Sequence, residues 1–207
     1  FDLALHGATL VATLVFFRKT WLRFLFEWLQ GWVVPAGERK RGWKVGWAIL
    51  AGTAVTASVG LPLKGAVEAA MGSLPLVGLL LLINSIILSL AGRFSRLQRS
   101  GEVDIRAGLV VGLAQGLAVF PGISRSGSTI CSGLFQGLSP EEAFDFSFLM
   151  SLPSITGALL LEAIDTGGME AFFNSLPAGW VLGALAAFVS GIFALALLRR
   201  FVVRGKW

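Results

Sequence analysis

The amino-acid sequence predicts an all-α, polytopic integral membrane protein: an inverted-topology repeat with about five transmembrane helices and one re-entrant helical hairpin. Hydrophobic residues make up 55% of the 207 residues and charged residues only 14%, whereas soluble domains carry about 25% charged residues. Long apolar runs recur along the chain, and the polar segment PGISRSGST at 121–129 interrupts one of them. Two pairs of similar segments also follow each other in the same order. Together these observations indicate a chain that crosses a bilayer several times.

We predict five helices from the length of the apolar runs and from the Gly, Pro and charged residues that end them. The second, third and fifth approach or reach the roughly 20 residues that cross about 30 Å of hydrocarbon, and the first is short. The predicted helices cover residues 1–17, 45–62, 74–92, 140–164 and 179–198.

Residues 107–138 form a further apolar stretch, which the polar segment divides into pieces at 107–120 and 130–138. At ~1.5 Å per residue these pieces rise only about 21 Å and about 13 Å, too little for either to cross alone. Pro121 and Gly122 oppose one continuous helix. We therefore predict a re-entrant hairpin whose polar turn lies inside the bilayer, where irregular backbone must be buried in protein or line a wet cavity.

Basic residues alternate between the predicted loops. Residues 18–44, 93–106 and 199–206 are rich in Lys and Arg, whereas 63–73 and 165–178 contain one Lys or none. Because basic loops stay on the cytoplasmic side, this alternation places both ends of the hairpin on the cytoplasmic face. The net charge of +5 therefore indicates contact with anionic lipid head groups rather than with nucleic acid.

The two halves of the chain resemble each other. FDLALHGATLVATLVFF, from Phe1, is similar to FDFSFLMSLPSITGALL, from Phe144, and GWAILAG is similar to the later GWVLGAL. The charge pattern gives the two copies opposite orientations, as in an inverted-topology repeat with a site at mid-membrane. By symmetry, a hairpin before Phe1 and a helix after Trp207 would complete both copies, so we expect a longer parent protein. The predicted units are a first repeat at 1–92, a cytoplasmic linker at 93–106 and a second repeat at 107–207 that contains the hairpin 107–138.

The polar segment has the residue types of a phosphate site. Gly122 and Gly127 allow tight turns that point backbone N–H groups at a ligand, and Arg125 offers a planar fork of donors that suits phosphate oxygens. The start of the outgoing half-helix also favours an anion. Hydroxyl groups come from Ser124, Ser126, Ser128 and Thr129. We predict a phosphate or diphosphate group held within the membrane; the alternative is that the serines only satisfy broken backbone and Arg125 reaches the surface.

Two stretches resemble a known family. GLAQGLAVFPGISRSGSTICSGLFQGLSPEEAFDFSFLMSLP resembles the second signature of the bacitracin-resistance undecaprenyl-diphosphatase family, and FDLALHGATLVATLVFFR resembles the stretch after its first signature. The resemblance implies a multi-pass phosphatase of the bacterial plasma (inner) membrane. Such an enzyme cleaves undecaprenyl diphosphate, a polyprenyl diphosphate lipid, to undecaprenyl phosphate and inorganic phosphate. This recycles the lipid carrier of cell-wall synthesis and confers bacitracin resistance. The family fold has inverted repeats with two re-entrant hairpins.

The resemblance also implies roles for individual residues. Arg125 would clamp the diphosphate and stabilise the transferred phosphoryl group, and nearby hydroxyls would bind or position phosphate oxygens. The predicted catalytic residues are Arg125, Ser124, Ser126 and Thr129, and the predicted substrate-binding residues are Gly122, Gly127, Ser128 and Gln115.

The family's first signature, a glutamate-rich segment with a serine and a histidine, would lie upstream of Phe1. The resemblance implies that this segment contributes to catalysis and holds a divalent cation, Mg²⁺ or Ca²⁺, so no metal ligand is assigned in this chain. His6 lies outside the motif and is expected to make a polar contact within the bundle. Gln115 takes the repeat position of a first-signature glutamate; a supporting contact to substrate and a lone interhelical hydrogen bond are equally open for it.

Other polar residues are expected to be structural. Ser139 to Glu142 read as a capping box, Asp145 as a cap, and Asn84 as a hydrogen bond between helices. Small residues in GWVLGALAAFVSG predict a close helix crossing, and the single cysteine, Cys131, excludes an intramolecular disulfide.

Three functions compete at this point: the lipid-diphosphate phosphatase, a lipid-phosphate transporter or flippase on the same architecture, and a non-catalytic fragment of the enzyme. The sequence leaves a homodimer open.

Overall fold

The computed structural model describes residues 2–95, 101–165, 168 and 176–204. In this part of the chain the regular elements are helices, apart from a single bridge between Gly101 and Leu138. The predicted all-α class is therefore confirmed. The helices are α1 (Asp2–Phe16), α2 (Arg18–Gln30), α3 (Arg41–Gly60), α4 (Lys64–Met71), α5 (Leu74–Phe94), α6 (Ile105–Leu117), α7 (Arg125–Phe135), α8 (Pro140–Asp165) and α9 (Trp180–Val203), with one 3₁₀ turn at Ala36–Glu38.

Three of the described helices, α5, α8 and α9, are long and apolar enough to cross a membrane. A fourth span is formed if α3 and α4, which meet at a bend of 60°, are taken together. These correspond to four of the five predicted spans. The remaining predicted span, at 1–17, corresponds to α1. This helix has only 15 residues and rises about 22 Å at ~1.5 Å per residue, which is short of the hydrocarbon thickness.

Two helices were missed because their charged residues favoured loops. Residues 18–44 were predicted as a cytoplasmic loop, but α2 occupies Arg18–Gln30 and packs on α3. Phe24 is buried in that contact, and the Glu27 carboxylate accepts the Gly42 N–H at 2.8 Å. The signal was the helical spacing of aromatic residues among the basic ones. The second missed helix is α4, in the predicted external loop 63–73. Most of the predicted loop at 165–178, and residues 96–100 of the predicted linker, lie outside the described residues.

Helices α3 and α6 approach more closely than any side chain would allow. A Cβ atom added to Gly108 would lie 2.3 Å from the Ala48 carbonyl oxygen, and one added to Gly112 would lie 2.3 Å from that of Gly52. Small residues permit such contact between membrane helices, where van der Waals packing and hydrogen bonds drive association. Thr56 lies at the same interface, and its hydroxyl donates to the Gly112 carbonyl at 3.0 Å. We call these five residues the glycine seam.

The helix pairing agrees with the proposed repeat. Helix α1 packs along α9, and α8 packs against α3, so the first helix of each half contacts the second helix of the other. Gly191 of α9 lies close to α1, because a Cβ atom added to it would be 3.2 Å from the Ala12 Cβ atom. This agrees with the close helix crossing predicted from GWVLGALAAFVSG. The inverted orientation and the unit boundaries stay predictions from the sequence.

Ion pairs join the helix ends at the face predicted to be cytoplasmic. Arg41 of α3 pairs with Glu142, and Arg199 of α9 pairs with Glu141. Lys44 pairs with Glu102 at 2.9 Å, and this hydrogen bond lowers the pKa of the Glu102 carboxyl.

The predicted capping box at the start of α8 is confirmed in part, because the Ser139 hydroxyl accepts the Glu142 N–H at 3.2 Å. The predicted capping role of Asp145 is wrong. Asp145 lies inside α8 and not at its end. Its carboxylate lies 3.7 Å from the Nε atom of Arg199 on α9.

The glycine seam predicts the effect of one methyl group. Gly112→Ala should lower the melting temperature in detergent, because overpacking costs about 1–3 kcal/mol and the obstacle is backbone. This exceeds the gain of about 1 kcal/mol in helix propensity. Gly7→Ala is the matched control, because nothing lies within 4 Å of its added Cβ; its melting temperature should not fall. Equal melting temperatures for both variants would contradict the close contact of α3 and α6.

Candidate functional site

The break in the hairpin lies where the sequence predicted it. Helix α6 ends at Leu117, α7 begins at Arg125, and the two helices pack on each other. With 13 and 11 residues, they rise about 20 Å and about 17 Å. Residues 126–130 were predicted to open the outgoing half-helix, and α7 begins one residue before them, so Arg125 to Thr129 lie on its first turns. The side of the membrane from which the hairpin enters stays a prediction.

Gly122 makes the turn that the loop requires. Its φ of +92° lies in the left-handed region, which favours glycine. An added Cβ would also lie 3.1 Å from the Val77 carbonyl oxygen of α5. The turn predicted at Gly127 is wrong, because Gly127 is helical and its N–H donates to the Ser124 hydroxyl at 3.1 Å. That N–H is therefore not directed at a ligand.

Ser124 and Asn84 fix the start of α7. Ser124 is the N-cap residue, and its side-chain oxygen accepts the Gly127 N–H, which satisfies one of the donors that a helix start leaves unpaired. The backbone N–H of Ser124 donates to the Asn84 Oδ1 atom of α5 at 2.8 Å. The expected hydrogen bond of Asn84 to another element is confirmed, although the sequence did not indicate its partner.

Arg125 and Ser126 provide the donors that remain. The side chain of Arg125 is exposed, and both residues line a cavity. Within the described ranges, no acceptor lies in hydrogen-bond reach of their backbone N–H groups. These N–H groups and the positive end of the helix dipole make the start of α7 suited to an anion.

The other predicted hydroxyls divide into two groups. Thr129 is 1% exposed and lines the same cavity; its hydroxyl contacts the Arg125 carbonyl at 2.9 Å and hydrogen-bonds with Ser147 of α8. Ser128 is buried but does not line the cavity, and its hydroxyl has no partner among the described residues. The structure therefore does not bring Ser128 together with Arg125 and Thr129, and its binding role stays a sequence prediction.

Gln115 lies in the last turn of α6, just before the loop, and is 1% exposed. Its Nε2 atom is 3.2 Å from the Thr56 hydroxyl and 2.8 Å from the Ser154 hydroxyl. Gln115 thus makes interhelical hydrogen bonds and also lines the cavity. Thr56, Ser147 and Ser154 were missed, because single polar residues in apolar helices give no signal of what they face.

Two cavities meet at Arg125. The first, which we call the polar cavity, has a volume of about 570 Å³ and lies between α1, α6, α7 and α8. The second, the apolar groove, has a volume of about 490 Å³ and runs between α3, α4, α6 and α8. Arg125, Gln115, Val119 and Ala158 line both. His6 lines the polar cavity, from α1.

A third cavity, of about 380 Å³, lies among charged residues at the opposite end of α8. Arg23 and Arg41 line it, but so do Glu141, Glu142 and Asp145. Because three carboxylates face the arginines, this cavity is less suited to a phosphate than the start of α7.

The divalent cation that the resemblance implies would be held by the segment upstream of Phe1. Among the residues that the structure describes, no group of three or more His, Cys, Asp or Glu side chains stands close enough together to hold a metal ion. No step of the chemistry below is therefore assigned to a metal.

The hydrogen bond to Asn84 predicts the effect of removing its acceptor. Asn84→Leu leaves the Ser124 N–H unpaired, which should lower the free energy of unfolding by about 1–3 kcal/mol and speed amide hydrogen exchange across 121–127. Ser89→Ala, on the same helix, removes an exposed hydroxyl that bonds only within α5 and should change neither measurement. Unchanged exchange in Asn84→Leu would show that α5 does not hold the loop.

Comparisons with known proteins identify the family of this chain. The chain matches the family described as "Bacitracin resistance protein BacA" over residues 1–207. An undecaprenyl-diphosphatase of Korarchaeum cryptofilum is 40% identical over 97% of this chain and 75% of its own length. One of Desulfosudis oleivorans is 40% identical over 100% of this chain and 77% of its own, and one of Treponema denticola is 36% identical over 100% and 76%. With a family match along its whole length and relatives at this identity, the chain belongs to the BacA bacitracin-resistance family.

Proposed function

We propose that this protein is a membrane phosphatase that hydrolyses undecaprenyl diphosphate to undecaprenyl phosphate and inorganic phosphate. The relatives reported above carry the name undecaprenyl-diphosphatase. The observation in the structure that carries the proposal is the position of Arg125. It opens α7 with unpaired N–H groups beside it, and it stands where a polar cavity meets an apolar groove.

The polar cavity suits the diphosphate. Arg125 supplies a fixed fork of donors, and the N–H groups of Arg125 and Ser126 add two more. Ser126 and Thr129 place hydroxyls on the same wall. Phosphoryl transfer depends on positioning and on electrostatic stabilisation of the equatorial oxygens, and these donors provide both.

The apolar groove suits the lipid chain. Thr53, Ala57, Gly157 and Ala158 leave space between α3 and α8, and Lys64 and Glu68 of α4 also line the groove. A chain of isoprene units that left the phosphates at Arg125 would enter this groove directly. A small water-soluble diphosphate would leave the groove unused, so the pair of cavities favours an amphiphilic substrate.

The proposed reaction breaks one phosphoanhydride bond. The oxygen of a water molecule forms a bond to the terminal phosphorus, and the bridging oxygen leaves with undecaprenyl phosphate. One proton of the water stays on inorganic phosphate, and the other goes to a phosphate oxygen or to solvent. Arg125 stabilises the charge on the transferred group. Thr129 is a poor candidate for a nucleophile, because its hydroxyl is already engaged by backbone carbonyls and by Ser147.

We place the protein in the plasma membrane, with its basic loops at the cytoplasmic surface. Trp28, Trp32, Trp43 and Trp47 pack together near this end, and the Arg39 guanidinium lies 4.4 Å from the centroid of the Trp43 ring. Aromatic and basic residues of this kind anchor proteins at the interface and favour anionic lipids. The homodimer stays a prediction. A transporter remains the second candidate, but the names of the relatives do not favour it.

The first test removes the Arg125 guanidinium group. Arg125→Ala should lower the rate of phosphate release from undecaprenyl diphosphate in detergent about a hundredfold to a thousandfold, the usual effect of deleting a transition-state donor. Arg125→Lys should recover only part of it, because an ammonium group cannot bind in the same planar way. Arg200→Ala, at an exposed position of α9, is the control. Full activity in Arg125→Ala, or head-group movement across vesicles without phosphate release, would contradict the proposed phosphatase.

The second test fills the apolar groove. Gly157 lines the groove, and nothing lies within 4 Å of an added Cβ, so Gly157→Trp should block the lipid chain without a backbone clash. Loss of contact with about two methylene groups, at ~0.8 kcal/mol each, should raise KM for undecaprenyl diphosphate about tenfold. KM for the five-carbon isopentenyl diphosphate should not change. Gly78→Trp, also without neighbours within 4 Å, is the control. An equal effect on both substrates would show that the chain binds elsewhere.

A further inference from the structure

Gln115 carries a buried acceptor without a donor. Its side chain is 1% exposed, and within the described residues its Oε1 atom has no hydrogen-bond partner. Buried polar atoms are nearly always paired, so an unpaired one in a native protein calls for a specific explanation. The sequence is compatible with Gln115 serving only in an interhelical hydrogen bond, and the Nε2 contacts alone are sufficient for that role.

The partners of Gln115 fix the orientation of its amide group. The Thr56 hydroxyl donates its hydrogen to two carbonyl oxygens, that of Gly52 at 2.8 Å and that of Gly112 at 3.0 Å. A hydroxyl has one hydrogen, so Thr56 can only accept from Gln115, and the amide nitrogen must be the atom that faces it. The Ser154 hydroxyl lies 3.4 Å from the Met150 carbonyl oxygen, which is long for a hydrogen bond between two oxygens, so the orientation of the amide rests on Thr56. The Oε1 atom is therefore held on the other side of the amide.

The residue that carries this oxygen lines both the polar cavity and the apolar groove, as Arg125 does. An ionised phosphate oxygen accepts hydrogen bonds and cannot pair with Oε1. Its partner must be a hydrogen-bond donor, and in the proposed reaction the donors that arrive with the substrate and with water are O–H groups. We propose that Gln115 Oε1 accepts a hydrogen bond from an O–H group bound beside Arg125 and so positions that group for the reaction. This inference rests on the proposed phosphatase function.

Two O–H groups are available in that reaction. One is the water molecule that attacks the terminal phosphorus, and the other is a protonated oxygen of the diphosphate itself. An amide oxygen does not take a proton at neutral pH, so in either case Gln115 orients the donor and does not act as a base. It is a positioning residue, with the glycine seam and Thr56 holding it in place.

The test compares Gln115→Met, which keeps the length of the side chain and removes the acceptor, with the unchanged protein. Phosphate release from undecaprenyl diphosphate is measured in detergent between pH 5 and pH 8. If the donor is water, kcat falls at least about tenfold at every pH and KM stays within about twofold. If the donor is a phosphate O–H, KM rises below the second phosphate pKa of about 6 and returns to the unchanged value above it. Either pattern supports the inference, and the two identify the donor.

Thr56→Val and Ser58→Ala complete the experiment. Thr56→Val releases one side of the amide and should give a smaller loss with the same pH pattern, which keeps the test decisive if Gln115→Met folds poorly. Ser58→Ala removes an exposed hydroxyl that bonds only to the Ala54 carbonyl of the same helix and should have no effect.

Wild-type kcat and KM at every pH in both Gln115→Met and Thr56→Val, in a protein that Arg125→Ala inactivates, would overturn the inference and leave the phosphatase standing. Wild-type activity in Arg125→Ala would overturn both.

Discussion

The close contact of α3 with α6 is the constraint on which the site depends. At the glycine seam the two backbones approach until a carbonyl oxygen of one helix occupies the place of a Cβ atom on the other. One turn beyond Gly112 and Gly52, the same geometry brings Gln115 to Thr56. The contact holds α6 against α3 and so helps to position the loop that follows Leu117 and the start of α7. Small residues at the seam thus contribute to the position of the proposed phosphate site.

The loop itself is held from the opposite side by α5. Gly122 turns against the Val77 carbonyl, and Asn84 accepts the Ser124 N–H. With Ser124 used as a cap and Thr129 bonded to its own helix and to Ser147, the N–H groups of Arg125 and Ser126 and the oxygen of Gln115 are among the polar groups without a partner in the described residues. The lining of the cavity therefore includes donors at the start of α7 and an acceptor-bearing residue on α6. This arrangement suits the proposed phosphate together with an O–H group.

The sequence was sufficient for the parts that depend on local chemistry. Pro, Gly and hydroxyl residues within an apolar run predicted the break and the phosphate character of 121–129, and uninterrupted apolar length predicted α5, α8 and α9. It was misleading where charge masked helical spacing, as in α2. It also did not indicate that Ser128 would lie on the side of α7 away from the cavity. The partners of Gln115 and Ser124 are 39 to 59 residues away along the chain, and no single-sequence pattern could have paired them.

The most direct measurement is a structure of the protein in lipid nanodiscs with a non-hydrolysable methylene analogue of a polyprenyl diphosphate. We expect the two phosphorus groups at the start of α7, within hydrogen-bond distance of the Arg125 guanidinium, and the lipid chain in the groove beside Gly157. Phosphates seated instead among Arg23, Arg41 and the carboxylates at the far end of α8, with the groove empty, would contradict the account.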